Sequence, residues 1–169
     1  LNFNYTQTAK QLYARDADEI IDIHGALNTE RNPIIFGYGD ELDDDYKRIE
    51  KLQDNDFLEN IKSVRYHETG NYRQLLGFIE SEPYQVITMG HSCGNSDRTL
   101  LNTLFEHCNC ISVKVYYHQR EDGTDDYSQL IRNLSRNFND KAAMRDKVVN
   151  KEYCLPLVPI AEQDIQEES

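Results

Sequence analysis

Apolar residues along the chain follow two rhythms, every second position in short runs and every third or fourth in longer ones. Leu1, Phe3 and Tyr5 alternate with Asn2 and Asn4, the period of a strand with one face toward a core. Thr6, Gln7 and Thr8 then offer a cap for a short helix through Tyr13. Ile20 to Ile23, closing at His24-Gly25, predicts a second strand, and Pro33 to Phe36 a third, with Gly37 and Gly39 marking the turn after it. From Leu42 to Glu82 the rhythm changes. Leu42, Tyr46, Ile49 and Leu52, then Tyr72, Leu75, Leu76 and Ile79, recur at helical spacing and predict two or three amphipathic helices broken near Asp54-Asn55 and Gly70-Asn71.

The second half repeats the pattern of strand, glycine turn and helix. Val86 to Met89 is a β-rich run ending in Gly90-His91-Ser92-Cys93-Gly94, after which Asn95 or Ser96 caps a helix carrying Leu100, Leu101, Leu104 and Phe105. Ile111, Val113 and Val115 alternate with Ser112, Lys114 and Tyr116 as the next strand, and Tyr127, Leu130, Ile131, Leu134 and Phe138 trace a helix. A short helix over Met144 to Val149 and an extended stretch from Tyr153 to Pro159 follow. Strands alternating with helices imply parallel pairing through right-handed crossovers. The expected fold class is therefore α/β, a Rossmann-like, mostly parallel sheet covered by helices on both faces, with a helical insert over 40–82. One domain over 1–160 and a flexible acidic tail over 161–169 are expected. Leu1 already lies in an alternating run, so the chain reads as a piece of a longer protein.

Composition narrows the partners. A chain of 169 residues can bury a core of its own. Lys+Arg 18 against Asp+Glu 30 gives a net charge of -12, a field that repels phosphate backbones and anionic lipid, so neither nucleic acid nor membrane is expected as a partner. A small nucleotide ligand stays open, because backbone N–H groups and helix N-termini hold such anions more than net charge does. The Asp40–Asp45 run reads as a solvated loop or helix start. No apolar run approaches the length needed to span a bilayer. The four cysteines lack the spacing of a disulfide framework, and a reducing cytoplasm is the expectation. His107, Cys108, Cys110 and His118 lack a second Cys-x-x-Cys pair, so buried or edge thiols are expected and no metal.

Ligands of parallel sheets bind where the carboxyl ends of strands and helix N-termini converge. Three such ends carry polar residues here: Asn4-Tyr5-Thr6, His24-Gly25, and Gly90-His91-Ser92 with Asp97 in the first turn of the next helix, placed to accept from a ligand hydroxyl. Each also has a structural reading. Asn4 can cap a loop, His24 can hold the Gly25 turn, Ser92 and Asp97 can begin a helix, and the glycines can serve backbone geometry.

Asn-Phe-Asn-Tyr-Thr (2–6), Ile-His-Gly followed by Ile-Ile-Phe-Gly (23–25 and 34–37) and Gly-His-Ser-x-Gly-x-Ser-Asp (90–97) together resemble the recurrent segments of AbiH-type bacteriophage abortive-infection proteins, in that family's order. The resemblance implies a role in phage defence, and an upstream Gly-rich strand–turn–helix that this chain lacks. A looser resemblance links the first two segments to sirtuin-like defence domains that cleave NAD. It implies NAD as substrate or ligand. Asn4 would orient the nicotinamide ribose or a water, and His24 would act as general base on a ribose hydroxyl, with Tyr5, Thr6, Gly25, Gly90, His91, Ser92 and Asp97 lining the ligand. Cys93 stands where such families more often place an aliphatic residue, and Thr6 replaces the common Asp.

Two other classes fit parts of the pattern. Gly90 to Gly94 is also a Gly-x-Ser-x-Gly between strand and helix, as in a serine hydrolase with its nucleophile at Ser92. Only His107 and His118 follow it, with no clear acid before His118. A non-catalytic sensor or interaction module would use the same pocket for a nucleotide and the helical insert for a protein partner, or would act as a homo-oligomer.

Overall fold

The computed structural model describes residues 1–13, 19–38 and 41–158. Among these are seven α-helices: α1 (Thr8–Leu12), α2 (Asp44–Lys51), α3 (Lys62–Arg65), α4 (Asn71–Ser81), α5 (Arg98–Glu106), α6 (Tyr127–Asn137) and α7 (Lys141–Lys147). Two strands, β1 (Tyr84–Met89) and β2 (Cys110–Tyr116), pair in parallel with α5 between them in sequence, giving a mixed α/β architecture. Gly39 of the expected turn, Asp40 of the acidic run, Pro159 and the 161–169 tail lie outside the described residues.

Helix boundaries follow local chemistry. Asp43 accepts from the backbone N–H of Asp45 at 2.7 Å, so the acidic run begins α2, with Asp44 and Asp45 at its positive end and Lys51 at its negative end. Asp140 does the same for α7, accepting from Ala142 at 2.7 Å and Ala143 at 3.2 Å. That cap starts the helix three residues before the apolar pattern does. Gly70 precedes α4 and Asp54 caps a 3-10 turn over Asn55–Phe57, matching the two expected breaks.

The sheet is smaller than the alternation predicts. Leu1 to Tyr5, Ile20 to Ile23 and Pro33 to Phe36 run beside one another without forming continuous strands. Asn2 and Asp22 make one parallel bridge, with Asn2 N–H on Ile21 at 2.8 Å and Ile23 N–H on Asn2 at 3.1 Å, and Ile35 N–H reaches His24 at 2.9 Å. Pro33 has no N–H to offer, and Gly25 at φ +78° and Asn28 at φ 61° turn the backbone away after one or two bonds. Asn71 fastens this region to α4, donating to the Asp22 carbonyl and to Asn32, both at 2.8 Å. Of the final stretch, residues 155–157 lie extended beside Tyr117, while Lys151–Tyr153 form a 3-10 turn.

Among the described residues, helices do not cover both sheet faces. Register pairs Val86 with Val113 and Thr88 with Val115, so these four and Tyr84 share the inner face. The opposite face carries Gln85, Ile87, Met89, Lys114 and Tyr116, and Ile87 is 54% and Met89 63% exposed. Inside, α5 packs on α6 and β2, and α7 on β2. Phe105 and Phe138 stack at 5.6 Å between ring centres, both buried. Truncating such a ring removes transfer energy and leaves a cavity. Phe105→Ala is expected to lower stability by about 3–5 kcal/mol in denaturant unfolding. Gly25 is a backbone requirement, since a Cβ there would lie 2.0 Å from the Pro33 carbonyl oxygen at a positive φ. Gly25→Ala is expected to cost at least about 1–3 kcal/mol, whereas Gly90→Ala meets only Leu157 at 3.8 Å and bears the φ strain alone; comparing the two melting temperatures checks this.

Candidate functional site

Asp97 sits in a 3-10 turn (Asn95–Asp97) directly ahead of α5, so its side chain belongs to the loop after β1. That placement brings the carboxylate into the protein, 7% exposed, where it needs partners. One oxygen, Oδ1, receives Lys62 Nζ at 2.8 Å and His24 Nε2 at 3.0 Å. The other, Oδ2, receives Ser96 Oγ at 3.1 Å and faces His91 Nε2 at 3.6 Å. Burial pushes the Asp97 carboxyl upward, but His24, His91 and Lys62 outweigh it and hold the group well below the usual carboxylate range.

Each partner is held in turn. His24 is 3% exposed, with Nδ1 3.3 Å from the Phe3 carbonyl and Nε2 also 3.3 Å from the Tyr66 hydroxyl. The Tyr66 ring lies parallel to His24, and burial followed by the Asp97 charge raises its phenol above the ordinary tyrosine range. His91 Nδ1 accepts from the Cys93 N–H at 3.0 Å, which in a neutral ring puts the proton on Nε2, toward Asp97. Phe3 covers that ring at 4.2 Å between centres.

Of the three polar strand ends picked out in the sequence, the second and third meet through the side chains of His24, His91 and Asp97, while the first reaches them through the Phe3 carbonyl and ring. His24, His91 and Asp97 share one carboxylate. Phe3 and Tyr5 turn their rings to His24, at 5.4 and 6.3 Å, and Asn4 between them is exposed, its N–H resting on the Asn2 side chain at 3.1 Å. Thr6 is exposed and bonds to Thr8 at 3.0 Å. Both oxygens of Asp97, which the sequence reading sets to accept from a ligand hydroxyl, already have protein partners. Lys62 and Tyr66 were missed. Their i, i+4 spacing puts both on one side of a helical turn, which is the signal that was available.

Ser92 is exposed, and its carbonyl accepts from Asn133 of α6 at 2.8 Å. In this glycine loop the positive φ falls on Cys93, at 52°, beside a glycine, Gly90, at 70°. A nucleophile elbow places that strain on the serine itself. Cys93 is fully buried, and burial with the Asp97 charge pushes its thiol up to about 12, so it carries no thiolate. A cleft of about 240 Å³ opens beyond Ser92, where β1 and β2 end against α6. Among the described residues, no cluster of three His, Cys, Asp or Glu is arranged to hold a metal ion, and no helix is long and apolar enough to cross a membrane.

Residues 1–119 match the family model described as Bacteriophage abortive infection AbiH. The chain belongs to the AbiH family. No curated protein and no solved structure matches it. The span shared with AbiH proteins contains every member of the Asp97 cluster. Helix α6 lies beyond that span and nevertheless holds the AbiH glycine loop, through Asn133 on Ser92 and Asn137 on the Cys93 carbonyl, both at 2.8 Å.

Removing the negative partner leaves Lys62 buried without a counter-charge. Asp97→Asn is expected to cost about 3–5 kcal/mol, and the double variant Asp97→Asn with Lys62→Met less than the two single costs combined, measured by a double-mutant unfolding cycle. Because the folded carboxyl titrates below the unfolded one, its contribution is complete above the unfolded value and is lost as pH falls. The stability gap between native chain and Asp97→Asn should thus narrow from about pH 4 downward; a gap that stays constant there would show that Asp97 contributes through packing alone.

Proposed function

We propose that this AbiH-family chain acts in abortive phage defence through a nucleotide site built around His24 and Asp97, with NAD as the candidate substrate. The observation that carries the reading is the meeting of segments 23–25 and 90–97 on one buried carboxylate, where His24 and His91 face Asp97, with segment 2–6 joining through the Phe3 carbonyl on His24 and the Phe3 ring on His91. The β1–α5–β2 unit with its glycine loop supports reading the fold as Rossmann-like, and the His24-Gly25 pair following a polar segment with Asn4 supports the sirtuin-like comparison.

In that reading the glycosidic C–N bond of NAD breaks and water adds at the ribose carbon. Nicotinamide leaves with the bonding pair, and ADP-ribose and a proton are the other products. Asn4, exposed beside the cluster, orients the ribose or the water; His24, backed by Asp97 as in other His–carboxylate pairs, serves a ribose hydroxyl as base. Tyr5, Thr6, Gly25, Gly90, His91 and Ser92 border the ligand. The location proposed for this activity is the cytoplasm, where NAD is at hand.

A second reading has its own support. Both His24 nitrogens already face protein groups and the ring is almost sealed, the state of a residue that transmits ligand binding through the structure. In that case the site senses a nucleotide, and a protein partner or a second copy receives the signal.

Incubating the protein with NAD separates the two. The enzyme reading expects nicotinamide release, reduced about 10²–10⁴-fold in His24→Ala and about 10²-fold in Asn4→Ala. Asn4→Ala is the cleaner variant, because an exposed side chain can be removed without opening the core. NAD binding with no release would sink the enzyme and leave the sensor, and neither binding nor release would sink both.

A further inference from the structure

We propose that the cleft at the carboxyl ends of β1 and β2 is a nucleoside subsite, taking a base and its ribose and leaving any phosphate in solvent. The choice of a nucleoside rests on the nucleotide reading above; the location rests on the cleft itself. Of the ligand-lining residues proposed from the sequence, Gly90, His91 and Ser92 belong to it. The rest of its wall comes from Tyr116 and His118 at the end of β2 and from Asp126, Gln129 and Asn133 at the start of α6.

Position is the first argument. Parallel strands present ligands at their carboxyl ends, and this cleft lies at that end of the one parallel pair among the described residues. Chemistry is the second. The wall offers the Ser92 hydroxyl, the Gln129 amide, the Asp126 carboxylate and the rings of Tyr116 and His118, with Leu130 and Leu157 as its apolar part; the Asn133 amide is held by Ser92 and Arg136, and neither Lys nor Arg lines the cleft. Such a surface suits a ligand with a flat heteroaromatic ring and several hydroxyls, and it gives an anion no counter-charge in a protein of net charge -12.

Size is the third argument. About 240 Å³ is below the roughly 300–1,000 Å³ of pockets that enclose a whole drug-sized ligand. One half of a dinucleotide fits, and the remainder must lie outside. Rigidity is the fourth. Asn133 Nδ2 donates to the Ser92 carbonyl at 2.8 Å, Asp126 Oδ1 accepts the His118 N–H at 2.7 Å, and the His91 ring is fixed between Cys93 and Asp97. The walls are therefore set before a ligand arrives, which lowers the ordering cost of binding. His91 is also the one group common to the cleft and the Asp97 cluster, so a nucleoside seated here touches the cluster through that ring.

The test uses the 169-residue chain with adenosine and inorganic phosphate as probes, followed by calorimetry and by backbone amide shifts. Adenosine is expected to bind and to move the amide signals of Ser92, His118 and Gln129, while phosphate does not bind. Gln129→Trp, which fills the cleft from an exposed helix position, and His118→Ala, which removes an exposed ring, should each weaken adenosine binding by about tenfold or more, a loss of roughly 1.4 kcal/mol, with unchanged melting temperatures. Absence of adenosine binding, binding untouched by both variants, or phosphate binding as tightly as adenosine would overturn the assignment. The two proposals fail separately: nicotinamide release that persists in Gln129→Trp removes the subsite and keeps the enzyme, whereas adenosine binding without any NAD cleavage keeps the subsite and removes the enzyme.

Discussion

Burying a carboxylate costs several kcal/mol unless cations and donors meet its oxygens, and the fold around Asp97 is arranged to meet that condition. Lys62 comes from α3, His24 from the turn after the second polar segment, and His91 and Ser96 from the loop that carries Asp97 itself. None of these stretches forms a continuous sheet with another. The main-chain bonds around the His24 stretch are few, from Asn2, Ile23 and Leu27 to the first segment and from Ile35 and Ala26 to the third, and they stop short of a ladder. The charged cluster supplies the orientation. A carboxylate has two oxygens with defined lone-pair directions, so satisfying it with groups from different segments constrains all of them at once.

That constraint extends past the family span. The glycine loop is gripped from the far side by Asn133 and Asn137, whose amides hold the carbonyls of Ser92 and Cys93. Both carbonyls belong to residues in a turn that no sheet ladder serves, and Cys93 carries a positive φ. Unsatisfied, they would cost about 1–3 kcal/mol each where buried. Helix α6 therefore stabilises a loop conformation, and through the fixed His91 ring it is coupled to Asp97. A change in how α6 packs is felt at the cluster by direct contacts and needs no longer path.

The legible part of this fold was the part dictated by local periodicity. β1, β2, α4, α5 and α6 follow from apolar spacing, and the parallel pairing follows from their alternation. The three short runs at 1–5, 20–23 and 33–36 share the same periodicity, yet Pro33 and the turn at Gly25 leave no room for a ladder, and periodicity does not register that. Likewise the continuous apolar run of β1 suits burial on both faces, yet Ile87 and Met89 stand on an exposed face, and composition alone does not register that. At the site, His24, His91 and Asp97 were recognisable because histidines and aspartates near glycines are conspicuous. Lys62 was not, since a lysine on a polar helix is usually solvated, and only a buried acid more than thirty positions away gives it a reason to turn inward.

The geometry also divides labour between two regions that the sequence presents as one. Asp97, His24 and Lys62 have used up their strongest contacts on each other, so they are poised to hold shape and charge. Gly90, Ser92, Tyr116 and His118 border open space and have contacts to give. A ligand entering from solvent meets the second group first. In the proposed reading it would reach the first through the His91 ring or past the exposed Asn4, and proton transfer at His24 would require one of its present partners, the Phe3 carbonyl, the Tyr66 hydroxyl or the Asp97 carboxylate, to yield. The cost of that exchange is set by how well Lys62, Ser96 and His91 keep the carboxylate satisfied while His24 is engaged elsewhere. Lys62 and His24 share Asp97 Oδ1, so in the proposed reaction the lysine would leave Asp97 a cation on the same oxygen while His24 is engaged elsewhere, and no buried charge would be stranded.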